Sequence, residues 1–319
     1  MAWPYLGRGS AVGIGEESTW GTAVSRTHWF RLVSSTVKRS VAKVPRGVLA
    51  ESTGSRNRRS HYIGTDDVGG TVVILMGYEG LGMLLKHAMH GTPATTGPSG
   101  SIYTHTFKLG TAPAAGGLTV EVIRGTGSAE VFEGCRISKM SWEIEAGGLM
   151  KVTLDLIGQT SAGPTSAGTP AYTSNELDVI HHQAGTLSFN SATYTLKKFT
   201  VSLDNKLARR PSLGSKLTAD PAPSDFTDVM FDAELEYEGD ALLTALTADT
   251  ESDAVISFSG VSSRSLSFTV HNAYIDDADV PVNTVGVLPL SVKFRGQSDG
   301  TDEGLQIAIA NTQTTATAV

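Results

Sequence analysis

Along most of the chain apolar and polar residues alternate with a period of two. Leu118, Val120 and Val122 share one face of their run, Trp142 and Ile144 oppose Glu143 and Glu145, and Val152, Leu154 and Leu156 oppose Lys151, Thr153 and Asp155. Phe199, Val201 and Leu203 repeat the pattern, as do Leu266, Phe268 and Val270. Successive side chains of a strand point to opposite faces. Each run therefore predicts a strand with one buried and one solvated face, as in antiparallel sheets. Helical spacing occurs at two places. Leu81, Leu84, Leu85 and Ala88 fall at i, i+3, i+4 and i+7, with Gly91 as the expected stop, and Leu242, Leu243 and Leu246 follow the same rule later in the chain.

The two helical patterns sit in matching contexts. "ILMGYEGLGMLLKHAM" begins at Ile74 and "DAELEYEGDALLTALT" at Asp232, and both carry Tyr-Glu-Gly followed by Leu-Leu. Further on, "GGLMKVTLDLIGQ" from Gly147 aligns with "VGVLPLSVKFRGQ" from Val285, apolar position on apolar position. Two matches in the same order predict a duplicated fold. The expected division is a first domain over 1–159, a linker rich in Ser, Thr, Gly and Pro over 160–176, and a second domain over 177–319. The second copy is shorter, and "HGTPATTGPSGSIYTHTFKLGTAPAAGG" is the natural candidate for an insertion in the first. Each copy also contains a polar stretch of about twenty residues, long enough to suggest a functional arm. In the first it spans 43–64, with Arg46, Val48, Arg56, Arg58 and Arg59; in the second it spans 205–225, with Arg209, Arg210 and Leu213.

Charge adds an asymmetry. Residues 1–159 carry a net +4 and residues 160–319 a net −11, within a total of −7, so halves of different copies attract head to tail. Composition excludes other classes. Apolar residues at 40% suffice for real cores, and the single Cys135 rules out an internal disulfide framework and reads as a small buried residue. No stretch approaches eighteen apolar residues, which argues against a membrane helix and for a soluble protein made in the cytoplasm.

Local motifs supply no chemistry. Gly13 and Gly15 are followed by neither a Lys-Ser/Thr pair nor a helical pattern, so a phosphate loop is not expected. His87 and His90 read as surface histidines, His181 and His182 would diverge on a strand, and Asp276, Asp277 and Asp279 lack the glycine and terminal glutamate of a calcium loop, leaving a solvated turn. No catalytic residue, cofactor or metal is expected.

The opening segment "GIGEESTWGTAV" is more telling. Gly13, Gly15, Glu16 or Glu17, Trp20, Gly21 and Thr22 resemble the start of phage tail tube proteins of long-tailed viruses. The Glu-Gly-Leu helix after a strand, "LTVEV" near Leu118 and "GGLMKVTLDLIG" at Gly147 follow in the order of that family. The resemblance implies a mainly β protein: two tandem tail-tube-type β-sandwich or barrel domains, each with one short flanking helix. It further implies subunits that form stacked rings around a bore through which DNA passes non-specifically. The long loops would bridge rings, and Trp20 would anchor a subunit contact. The partners implied are the chain itself, a tape measure protein and tail terminator or tip proteins, with no membrane insertion and a location in the virion tail. For the bore, the candidates are Glu143, Glu145 and Asp155, and the polar strand face of Asp232, Glu234 and Glu236. If each chain holds two units, a six-unit ring is a homotrimer. The competing class is a two-domain β-sandwich that binds to or decorates a virion or cell surface.

Overall fold

The computed structural model describes residues 7–45, 61–111, 113–125, 127–172, 179–282, 286–298, 300 and 303–318. The first half runs β1 (Ala11–Glu16), β2 (His28–Ser35), β3 (Lys38–Pro45), β4 (His61–Leu75), α1 (Gly82–Met89), β5 (Ala94–Ser99), β6 (Ile102–Lys108), β7 (Leu118–Ile123), β8 (Ala129–Glu145), β9 (Lys151–Gly158) and β10 (Thr160–Thr165). The second runs β11 (Gly185–Phe189), β12 (Ala192–Tyr194), β13 (Leu196–Asp204), β14 (Leu207–Arg210), β15 (Ala219–Pro223), β16 (Asp228–Glu236), α2 (Ala241–Thr247), β17 (Ser252–Ser259), β18 (Ser265–Asp279), β19 (Pro289–Gly296) and β20 (Leu305–Asn311). The fold is mainly β, as the alternation predicts.

One antiparallel sheet crosses the whole molecule in the order β3–β4–β9–β8–β13–β16–β19–β18. Only the second halves of β8 and β18 belong to it. The first half of β8 bends away to pair with β7 and β10, and β7 continues to β1 and β2. The first half of β18 likewise pairs with β17 and β20, and β17 continues to β11 and β12. Thus the pairing order β4–β9–β8–β7–β1 recurs as β16–β19–β18–β17–β11. Irregularities recur as well. A register shift between Leu32 and Ser34 against β4 matches one between Leu196 and Lys198 against β16. Another between Ile137 and Lys139 against β9 matches one between Ile275 and Asp277 against β19. The β5–β6 hairpin occupies the expected insertion, and β6 pairs with β20 at the other end of the chain.

The alternating apolar residues meet in one core that spans both halves. Trp142 of β8 lies edge-on to Phe268 of β18 with ring centroids 5.3 Å apart, and Phe199 packs at 5.5 Å from Phe258. Phe231 and Phe294 stack at 5.1 Å. Each ring buried in this way contributes about 2–3 kcal/mol by removal from water. The helices cover core edges: α1 buries Leu84, Leu85, Ala88 and Met89, whereas α2 fully buries only Leu242 and Ala245.

Several expectations need correction. The stop of α1 is His90 in the left-handed conformation (φ 57°), one residue before Gly91. His87 is not a surface histidine; it is buried on the inward face of α1, with Nε2 3.1 Å from Glu16 Oε1. β7 is buried on both faces rather than one, because Glu121 is enclosed with Arg26 and accepts from the Gly168 amide at 2.7 Å. Residues 160–165, read as linker, form β10; their small side chains still carry enough backbone pairing with β8 to make a strand. Asp276, Asp277 and Asp279 lie on the end of β18 and not in a turn.

The buried His87 and the half-buried His90 make stability pH-dependent. Burial pushes His87 and His90 down from 6.5 to about 4. Between those values the unfolded chain binds protons that the fold excludes, so stability falls as pH drops from 6.5 toward 4. The slope is at most about 1.4 kcal/mol per pH unit for each histidine. The denaturant midpoint of dissociated subunits measured across this range should show the decline, and His87→Gln should flatten it.

Candidate functional site

The face of the long sheet that points away from the core is polar over six strands. Cross-strand partners run in rows. Lys151, Glu143, Thr200, Asp232, Lys293 and Asp277 form one, and Glu145, Lys198, Glu234, Ser291 and Asp279 form the next. A third contains Asp155, Lys139, Asp204 and Asp228. All six residues expected at a bore, Glu143, Glu145, Asp155, Asp232, Glu234 and Glu236, therefore share one surface. Around the centre of this face, Thr200, Asp232 and Lys293 line a depression of about 330 Å³.

Carboxylates outnumber cations there. Glu143, Glu145, Asp155, Asp204, Asp228, Asp232, Glu234, Glu236, Asp277 and Asp279 stand among Lys139, Lys151, Lys197, Lys198, Lys293 and Arg295. Several pair across strands: Lys198 with Glu143 at 2.9 Å, Lys293 with Asp277 at 3.2 Å and Lys197 with Glu236 at 3.3 Å. Such exposed pairs stabilise little, but they hold the cations against the sheet. The hydrogen bond to Glu143 raises the pKa of Lys198, and partial burial raises those of Asp155 and Asp232. On β4 the same face changes character to Thr71, Val73 and Leu75, all half-buried.

The arms project from this sheet. β3 and the start of β4 form an exposed ribbon with Val41, Val44, Tyr62 and Ile63 open to solvent. Arg46, Val48, Arg56, Arg58 and Arg59 lie outside the described residues. In the second arm β14 and β15 pair with each other, and the ribbon docks on the first half of its own chain. Arg209 donates to the Val68 carbonyl at 2.5 Å and lies 3.5 Å from Asp67, so its guanidinium is held within the chain. Arg210 and Leu213 remain exposed. Two buried charges fix this docking. Asp66, fully buried, accepts two hydrogen bonds from Arg39 at 2.7 and 2.5 Å, while its amide donates to the Lys216 carbonyl at 2.8 Å. Arg136, also buried, donates twice to Asp220 at 2.9 and 2.7 Å. Neither pair was visible in the sequence, since the partners are far apart and no periodicity marks them.

The opening segment is likewise internal. Gly13 lies in β1, where a Cβ would come within 2.8 Å of the Trp29 ring. Glu17, 1% exposed, accepts from the Gly21 amide at 2.8 Å, the Thr119 hydroxyl at 2.9 Å and the Gly134 amide at 2.9 Å. Gly21 adopts φ 78°, which a side chain would strain. Trp20 is half-buried against Gly117 and Gly134 of its own chain. The motif is thus a turn pinned by a buried carboxylate. Breaking a buried charge cluster leaves the remaining charges uncompensated. Asp66→Ala should therefore lower stability by about 3 kcal/mol in chemical denaturation. It should also make residues 205–225 more sensitive to limited proteolysis.

No curated protein matches the chain. The family model described as phage tail tube protein matches residues 7–302, nearly the whole length. With its β architecture and the resemblance of its opening segment pointing the same way, the chain belongs to the phage tail tube protein family and is a structural component of the virion tail.

Proposed function

We propose that each chain supplies two tube units, that three chains close a ring of six units, and that stacked rings form a conduit for DNA. The observation that carries this reading is the eight-stranded sheet, in which one pairing order and one set of bulges occur twice in succession. Joining such segments end to end removes exposed sheet edges, which would otherwise invite aggregation. The units would be 1–159 and 177–319, with the segment 160–176 between them. Three identical chains then give pseudo-sixfold symmetry through heterologous contacts.

The polar face is assigned to the bore. DNA in transit must not adhere, and Lys or Arg contacts to phosphate would add non-specific affinity. An excess of carboxylates, with Lys197, Lys198 and Lys293 already paired to three of them, disfavours adhesion. The arms over 43–64 and 205–225 are assigned to contacts between rings, supported by the exposed Val41, Val44, Tyr62 and Ile63 and by Leu213 and Phe226. The role is structural rather than enzymatic. A tape measure protein inside the tube and terminator or tip proteins at its ends complete the proposed partners.

Native mass spectrometry of single rings should give three chains, about 100 kDa from a 33.5 kDa subunit; six chains would refute the trimer. Deleting residues 48–60 should leave soluble subunits or single rings and no long tubes in electron micrographs. In a tube reconstruction, Glu143 and Asp232 should face the bore, and a lumen dominated by Lys and Arg would overturn the assignment.

A further inference from the structure

The geometry points to a specific junction: β18 of one chain pairs antiparallel with the β2–β3 strand of a second copy, in the register that β13 and β8 use within the chain. This rests on the reading of the chain as a tube subunit. The second half of β8 is paired on both edges, with β9 and with β13. The second half of β18 is paired with β19 alone, and among the described residues no strand occupies its other edge. At the far end of the same sheet β3 pairs, among the described residues, with β4 alone. Among the described residues the sheet thus ends in two edges with no further strand on them, each offering backbone N–H and C=O groups. On the β3 edge the Val37 amide donates to the Ser35 hydroxyl at 3.3 Å and its carbonyl accepts from Arg124 at 3.4 Å, long contacts that a neighbouring strand would replace.

The internal seam supplies the register. Aligning the bulge at Ile275/Asp277 with that at Ile137/Lys139 makes Asp277 equivalent to Lys139, Asp279 to Ser141 and Val280 to Trp142. On the other edge, aligning the bulge at Leu32/Ser34 with that at Leu196/Lys198 makes Val37 equivalent to Val201, Lys38 to Ser202 and Ser40 to Asp204. The amide of Thr36 donates to the Thr71 carbonyl at 2.9 Å, so the strand continues unbroken through this region. Within the chain Val201 faces Trp142, Ser202 faces Ser141 and Asp204 faces Lys139. Between chains the same rule sets Val37 against Val280, Lys38 against Asp279 and Ser40 against Asp277.

Side-chain chemistry agrees with that register independently. Val37 and Val280 both pack on the core side. Lys38 and Asp279 are both exposed, and neither forms an ion pair with a described residue. The register places these two opposite charges directly across from each other, where such pairs are favourable. It also explains polarity. Pairing β18 with another β18 would bring Asp276, Asp277 and Asp279 against their own copies, which like-charge repulsion disfavours. Only a head-to-tail junction satisfies both edges, and head-to-tail junctions close rings.

Cysteine cross-linking tests the register, since the native Cys135 is fully buried. Lys38→Cys with Asp279→Cys, assembled and oxidised, should convert monomer bands to covalent multimers on a non-reducing gel. The off-register pair Ser40→Cys with Asp279→Cys should stay monomeric. Separately, Lys38→Glu or Asp279→Lys alone should reduce ring formation, and the two together should restore it. If wild-type rings form but only the off-register pair cross-links, or the double reversal fails to restore assembly, the register is wrong while the tube reading stands. If the wild-type chain forms neither rings nor tubes under any assembly condition, the tube reading falls and this junction with it.

Discussion

The seam between β8 and β13 is the contact on which the molecule depends. Seven residue pairs, from Lys198–Glu145 to Asp204–Lys139, carry the sheet from one half of the chain into the other. Backbone amides at a sheet edge need partners, and here each half supplies them to the other. The seam also sets the core. With Val201 opposite Trp142 and Phe199 opposite Ile144, the aromatic cluster forms across the join, so the halves cannot separate without opening their shared interior. On the reverse side the same seam makes the polar face continuous, because register fixes which side chains point out.

Long strands shared between sheets are the second device. β8 and β18 each begin in one sheet and end in another, with a bulge near the change of direction. Bulges bend a strand and increase its twist. They allow a single segment to close a sandwich at one end while contributing to the broad sheet at the other.

Buried charge marks the places where loops must be held. Glu17, Asp66, Glu121 and Arg136 all sit in the interior with hydrogen-bonding partners contributed by distant segments. Replacing such groups with apolar ones is often neutral for stability, whereas removing one partner is costly. Their value here is positional. Each fixes one arrangement of a turn or arm that apolar contact alone would leave free to slide.

How much of this was legible beforehand follows from the range of the interactions. Alternation of Val152, Leu154 and Leu156 against Lys151, Thr153 and Asp155 is a local property, and it predicted the strands and their buried faces. So did the repeated Tyr-Glu-Gly and Leu-Leu segments for the two helices, and the family resemblance followed from the order of such short motifs. Other features depended on contacts that no local pattern encodes. Trp20 turned inward because Gly117 and Gly134 leave room for its ring, Arg209 folded back because Asp67 and Val68 lie beside it, and His87 fell on the buried face of α1 beside Glu16. The two carboxylate sets came to share one face only through the pairing of β8 with β13, between residues more than fifty positions apart. Side-chain period is written in the sequence because it repeats every second residue, whereas strand neighbours and buried charge partners are chosen only when the chain closes on itself.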